Sequence, residues 1–178
     1  MPAEEPAAAP EAEALETVAR LMCLAARTAP KARGLDNLHI SIIRDHQKFA
    51  VTTQMRQIAN EHDLAFFQRD AACCDAAPVV VLIGTKVGPV GVPHCGYCGF
   101  EDCEACARAG GLCAYNSGDL GIALGSAAAV AAAHHADNRL MFTFGKAALE
   151  IGILPEDIRI AVGIPLTASG KNPFFDRD

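Results

Sequence analysis

Five of the chain's eight cysteines fall between His94 and Cys113, in HCGYCGFEDCEACARAGGLC, with the spacing C-x2-C-x4-C-x2-C-x6-C. Soft thiolate donors at this density select zinc, copper(I) or an iron–sulfur cluster. Whatever fold the chain adopts has to bring these thiols to one centre.

Each C-x2-C pair places two thiolates within reach of a single centre, and the glycines in Cys95-Gly96-Tyr97-Cys98-Gly99 leave backbone N–H groups free to approach the sulfurs. A structural zinc site usually joins two such pairs across a spacer of roughly 15–20 residues, whereas only four residues separate Cys98 from Cys103. The spacing therefore favours an iron–sulfur cluster over zinc, and over redox-active thiols without a metal. Glu101 and Asp102 suit a helix start and Gly110-Gly111 its end, which puts Cys103 and Cys106 on one face of a short helix. A four-iron cluster needs four ligands, and the set read here is Cys95, Cys98, Cys103 and Cys113, the last returning from beyond the Gly-Gly turn. Cys106 is the alternative ligand or a buried thiol. Cys23, Cys73 and Cys74 are scattered and read as packed small hydrophobes.

A length of 178 residues with 51% apolar residues suits one domain with a sizeable core. The net charge is −6, but five acidic residues and no basic one lie between Met1 and Glu16, so the remainder is close to neutral. A near-neutral body without a basic stripe argues against nucleic acid as a partner. Many cysteines without a signal-peptide pattern point to a reducing, cytoplasmic compartment. The uncharged run Leu120–Ala133 is too short to span a bilayer, so no membrane segment is expected.

Residues 1–13, biased to Pro, Ala and Glu, read as a disordered acidic tail, and residues 14–178 as a single domain into which the cysteine segment 94–113 is inserted. Apolar periodicity predicts helices over Ala14–Thr28 and Gln47–Glu61, a strand over His39–Ile43 and a short strand over Leu64–Phe67. Pro78–Gly84 (PVVVLIG) is a continuous apolar, β-branched run, the pattern of a strand covered on both faces in the middle of a layered arrangement. Asp119–His134 predicts a Gly- and Ala-rich helix capped by Ser117 or Asp119; apolar all round, it belongs in the core or at a subunit interface. Leu140–Phe144 reads as a strand or turn, Lys146–Ile151 as a helix and Ile158–Leu166 as the last strand. The tail through Phe174 and Phe175 is too apolar to be idle, and a second subunit is one surface it could cover.

Arg27, Lys31 and Arg33 gather around the end of the first helix, ahead of Gly34, Asp36 and Asn37. The simpler reading is that cations complement the helix dipole and the rest makes a turn. A sharper reading makes the cations an anchor for an anionic cofactor phosphate.

The stretches TAPKARGLDNL, CGYCGFEDC, DLGIALGSA, DNRLMF, GKAA and GIPLTASGKNPFFDR together resemble the DUF2148 family of ferredoxin-domain proteins. The family's C-x2-C-x4-C followed by one later cysteine maps onto Cys95, Cys98, Cys103 and Cys113; Cys106 departs from the pattern. A more distant similarity, carried by AARTAPKARGLDNLHISII, AAPVVVLIG, the Gly-Ala-rich helix and GIPL, is to nitroreductase-type flavoproteins, which form intertwined homodimers with FMN at the interface. That resemblance implies an α+β fold, a nitroreductase-like α/β/α layered domain with a central buried sheet, the buried Gly/Ala-rich helix and the Cys-rich insertion. It also implies that Arg27, Lys31, Arg33 and Lys171 contact a flavin phosphate and that Asn37 contacts the flavin ring.

No Ser-His-Asp, Cys-His or paired-carboxylate arrangement supports hydrolytic chemistry. The leading expectation is a dimeric electron-transfer protein or flavin-dependent oxidoreductase holding a [4Fe-4S] cluster. The alternative is a non-enzymatic module in which a cluster or zinc is structural and the dimer acts as a partner or maturation factor.

Overall fold

Strand β2 (Val79–Thr85) is buried along its whole length. Side chains alternate across a strand, so Val80 and Leu82 join one apolar cluster while Val79, Val81 and Ile83 join another. Full burial of a Val, Leu or Ile contributes about 1.5–3 kcal/mol, and this strand spends it on two opposite layers. It lies inside a four-stranded antiparallel sheet of order β1-β2-β4-β3, with β1 at Leu38–Ile43, β3 at Asp137–Asn138 and β4 at Ile160–Thr167. Helices α2 (Asp45–His62), α3 (Ala65–Ala76) and α6 (Phe142–Glu150) cover one face; α1 (Pro10–Thr28) and α5 (Ala114–Ala133) cover the other. The short α4 (Cys103–Arg108) lies in the connection between β2 and α5. The central buried strand expected from the apolar run, and the α/β/α layering that the nitroreductase resemblance implies, are therefore both observed. This computed structural model describes residues 10–175.

Several local expectations are corrected. Residues 1–9 of the expected tail lie outside the described residues, and Pro10–Glu13 already form the first turn of α1. Leu64–Phe67 is not a strand: Asp63 ends α2 in the left-handed region (φ 55°), and α3 follows at once. Its buried residues Phe67, Asp70, Ala71 and Cys74 recur at helical spacing, a period that a four-residue window cannot reveal. Helix α5 starts at Ala114 rather than Asp119, with no side-chain cap. Met141 exchanges two backbone hydrogen bonds with Gly163, and α6 begins immediately after it.

The C-terminal segment packs on its own chain. Phe174 is 2% exposed within the α2/α3/α6 layer, Arg139 donates to its carbonyl at 3.1 Å, and the Asn172 amide donates to Asp137 at 2.9 Å. Residues 176–178 lie outside the described residues. The three scattered cysteines are packing residues, as expected. Cys74 is buried against Met141, and burial is the leading cause that pushes the thiols of Cys23, Cys73 and Cys74 up.

Helix α6 lies flush on β4. A Cβ placed on Gly145 would stand 1.8 Å from the Ala161 carbonyl oxygen, and one on Gly163 would stand 2.6 Å from the Phe144 ring. Gly145→Ala must therefore push the helix off the strand. Urea unfolding is expected to show a loss of about 3 kcal/mol; an unchanged midpoint would contradict this packing.

Candidate metal centre

The chain leaves β2 at Thr85 and enters α5 at Ala114, and the connection between them, which holds the short α4, carries five cysteines. The connection is fastened to the scaffold at both ends. The Cys113 N–H donates to the Val87 carbonyl at 2.9 Å. Asn116, 1% exposed in the first turn of α5, donates to the Gly88 carbonyl at 2.5 Å and accepts from the Asn37 amide at 2.9 Å. Arg33 Nη1 donates to the carbonyls of Val90 and Gly91 at 3.1 and 3.0 Å. The Ala32 N–H donates to Asp119 at 3.0 Å, so the turn after α1 is tied to the start of α5 as well.

Within the connection, Gly96 and Gly99 take φ of 65° and 83°, a region open to glycine at little cost. They wrap the chain so that the Tyr97 N–H donates to Cys95 Sγ at 3.4 Å. Asp102 caps α4 by accepting from the Ala105 N–H at 2.7 Å, and the Gly111 N–H bonds back to the Cys106 carbonyl at 2.8 Å. The acidic start and glycine stop read from the sequence are thus both present.

All five cysteines of the connection line one cavity of about 700 Å³. Cys95, Cys98 and Cys103 are half-buried, while Cys106 and Cys113 are buried. Burial, then a hydrogen bond with Cys98 and the nearby Cys98, Cys113 and Cys103 thiols, push the Cys106 thiol up. Cys106 therefore belongs to the same group of sulfurs as the four expected ligands. Among the described residues, no three His, Cys, Asp or Glu side chains form a ready group for a single metal ion. Five thiols are the most numerous donors on a lining that also holds His94, Glu101, Asp102 and Glu104, and the cavity is larger than one ion; an iron–sulfur cluster fits these cysteines.

The residues expected to contact a flavin do not form one group. Arg27 pairs with Asp36 and donates to the Leu38 carbonyl. Burial acts to raise the Asp36 carboxyl, but hydrogen bonds from Arg27 and the Leu38 N–H and the charges of Arg27 and Lys31 hold it below the usual carboxylate range. Lys31 donates to the carbonyls of Ala26, Arg27 and Ala29 at the end of α1, the helix-terminus role of the simpler reading. Arg33 reaches the cysteine connection instead, and Asn37 reaches Asn116 in the first turn of α5. Lys171 follows β4, whose end at Leu166 pairs with Val79, whereas the basic turn precedes Leu38, which pairs with Thr85. Along β2 those two strand ends are about 20 Å apart, so the basic turn and the strand end that leads to Lys171 lie at opposite ends of the sheet. A smaller cavity of about 390 Å³ lies between the basic turn and α5, lined by Lys31, Tyr97, Tyr115 and Ile122 among others.

Sequence reading missed Asn116 and took Asp119 for a helix cap; both are buried polar residues of α5 that tie it to the segment between α1 and β1. The available signal was their position in the first turns of an otherwise apolar helix.

Solved structures similar to this chain include flavoproteins. A nitroreductase with bound FMN from Desulfitobacterium hafniense aligns with a TM-score of 0.59 at 13% identity, covering 92% of this chain and 81% of that one. A BluB-like flavoprotein from Clostridium difficile aligns at 0.54 and 18% identity, covering 89% and 86%. The fold is thus nitroreductase-like. In sequence, an uncharacterized protein of Archaeoglobus fulgidus is 36% identical over 173 residues, which is 93% of this chain and 92% of that protein. The model of DUF2148, described as an uncharacterized protein containing a ferredoxin domain, matches residues 109–177, a span that includes Cys113. With that model match and a full-length relative at this identity, the chain belongs to the DUF2148 family.

Proposed function

We propose that the protein carries a [4Fe-4S] cluster held by Cys95, Cys98, Cys103 and Cys113 and acts in electron transfer or as an oxidoreductase. The observation that carries this reading is the gathering of five thiols on one cavity. A structural zinc ion takes four Cys or His ligands around a single point, sulfurs at about 2.3 Å, and no three such side chains among the described residues are grouped that way. A cluster presents separate irons to ligands spread around a cavity, and when bound it supplies one-electron chemistry.

The chain's own residues serve that chemistry in three ways. The Tyr97 N–H is directed at Cys95 Sγ at 3.4 Å, the kind of hydrogen bond to sulfur that tunes a bound cluster. The Phe100 ring lies against Gly111 beside Cys106 and puts apolar bulk on the turn behind that thiol. The hydrogen bonds at residues 87–91 hold the connection in place from the scaffold, which weighs against the alternative in which a cluster or zinc merely staples the segment of a partner or maturation factor.

A homodimer and a cytoplasmic location belong to the same reading. No helix among the described residues is long and apolar enough to cross a membrane. On α5, Gly118, Gly121 and Gly125 face open space beside the exposed Ile122, a smooth apolar stripe suited to a second copy. FMN, the cofactor of structural neighbours, is proposed for the dimer alone, where Lys171 of a second copy could join Arg27 and Lys31; no chemical step is assigned to it.

Anaerobic purification is expected to give a brown protein with iron and acid-labile sulfide in equal amounts. Cys113→Ser should lose the cluster and Cys106→Ser keep it; the reverse pattern assigns Cys106 as the fourth ligand, and a colourless protein holding only zinc refutes the cluster. Light scattering should show a dimer that Ile122→Arg converts to a monomer with its iron retained. Acid extraction should release FMN from the dimer and none from that monomer; a flavin-free dimer removes FMN from the reading.

A further inference from the structure

We propose that Arg33 is a positioning residue of the metal centre: it clamps one wall of the cysteine cavity and holds a fixed positive charge behind it. This rests on the cluster reading above and deepens it. One guanidinium nitrogen, Nη1, donates to two successive carbonyls, Val90 at 3.1 Å and Gly91 at 3.0 Å. Both residues line the cavity that the five cysteines share. The fit is mutual across 58 positions of sequence: Gly91 takes φ of 81°, and a Cβ there would stand 2.8 Å from that nitrogen. Arg33 itself is held at φ 56°, a left-handed conformation unfavourable for a non-glycine residue that its side-chain contacts help to sustain.

The electrostatics give the clamp a second role. The cavity lining includes Glu101, Asp102 and Glu104 and neither Lys nor Arg, and the nearby Arg108 is drawn to Glu104 at 2.6 Å. Four thiolates in that setting make a strongly negative site. Reducing a bound cluster adds one electron, with no bond made or broken and no proton taken up. A guanidinium, protonated at all working pH, favours that added charge and raises the potential; the three carboxylates act in the opposite sense.

The test uses the full chain, loaded anaerobically, as wild type, Arg33→Gln and Arg33→Lys. Each is titrated with dithionite through dye mediators while the reduced cluster is followed by electron paramagnetic resonance, and iron loss to a chelator is timed separately. At the wild-type midpoint, Arg33→Gln is expected to lower the ratio of reduced to oxidised cluster by about tenfold, or about 59 mV for one electron. Arg33→Lys keeps the charge and loses the double contact, so its potential should stay near wild type while the chelator strips it severalfold faster. Arg33→Gln with wild-type iron, sulfide and potential would overturn the proposal, as would loss of bound FMN with the potential unmoved. If Arg33→Gln does not load, Arg33→Lys decides: wild-type chelator resistance overturns the clamp. A wild-type protein without iron and sulfide defeats the cluster reading itself, a result visible before any variant is made.

Discussion

Two-sided burial of one strand is the constraint from which the rest of this structure follows. All seven positions of Val79–Thr85 are buried, so neither face of β2 can meet water. An antiparallel sheet with a wet face would satisfy only half of that demand. The chain meets it with helices on both sides, and it keeps one of them close by leaving Gly145 bare against the Ala161 carbonyl. The second face is closed by α1 and α5, which pack on each other as well as on the sheet.

The direction of β2 then decides where chemistry can occur. Because Leu38 and Ile160 both pair with Thr85, the turn that feeds β1 and the connection that leaves β2 emerge at the same end of the sheet. The C-terminal segment is fastened near Asp137 and Thr167, at the other end. Buried side chains sew the first two together: Asn116 bridges Asn37 and Gly88, and Asp119 receives the Ala32 N–H. A hydrogen bond of this kind nets about 0.5–1.5 kcal/mol, but stranding a buried partner costs about 1–3 kcal/mol. The cysteine connection is consequently part of the scaffold's polar accounting and not a free appendage.

How much of this could be read from the residues depended on whether a signal was local. The apolar run of β2, the wrap of Cys95–Cys98 and the acidic start and glycine stop of α4 are each written within a few adjacent positions, and each was legible. Helix α3 was not, because the four apolar residues Leu64–Phe67 look like a strand until Asp70, Ala71 and Cys74 extend the period. The start of α5 was misplaced for a different reason. Asn116 and Asp119 are buried by partners far away in sequence, and no local pattern tells a buried polar residue from a capping one.

The basic turn carries the same lesson into the site. Arg27, Lys31 and Arg33 are close neighbours in sequence, which made a single anion anchor plausible, yet their side chains diverge. Lys31 spends its three donors on the end of α1, Arg27 finds Asp36, and Arg33 crosses to Val90 and Gly91. Proximity along the chain sets where cations start; the carbonyls and carboxylates within reach set where they finish. Here the acceptors nearest to hand are a helix terminus and a loop that must approach its neighbours closely, so the helix-dipole reading accounts for one cation and the cysteine connection claims another. A charge that local sequence would assign to a phosphate is thereby placed on the Val90 and Gly91 carbonyls, in the wall of the cavity that the cysteines line.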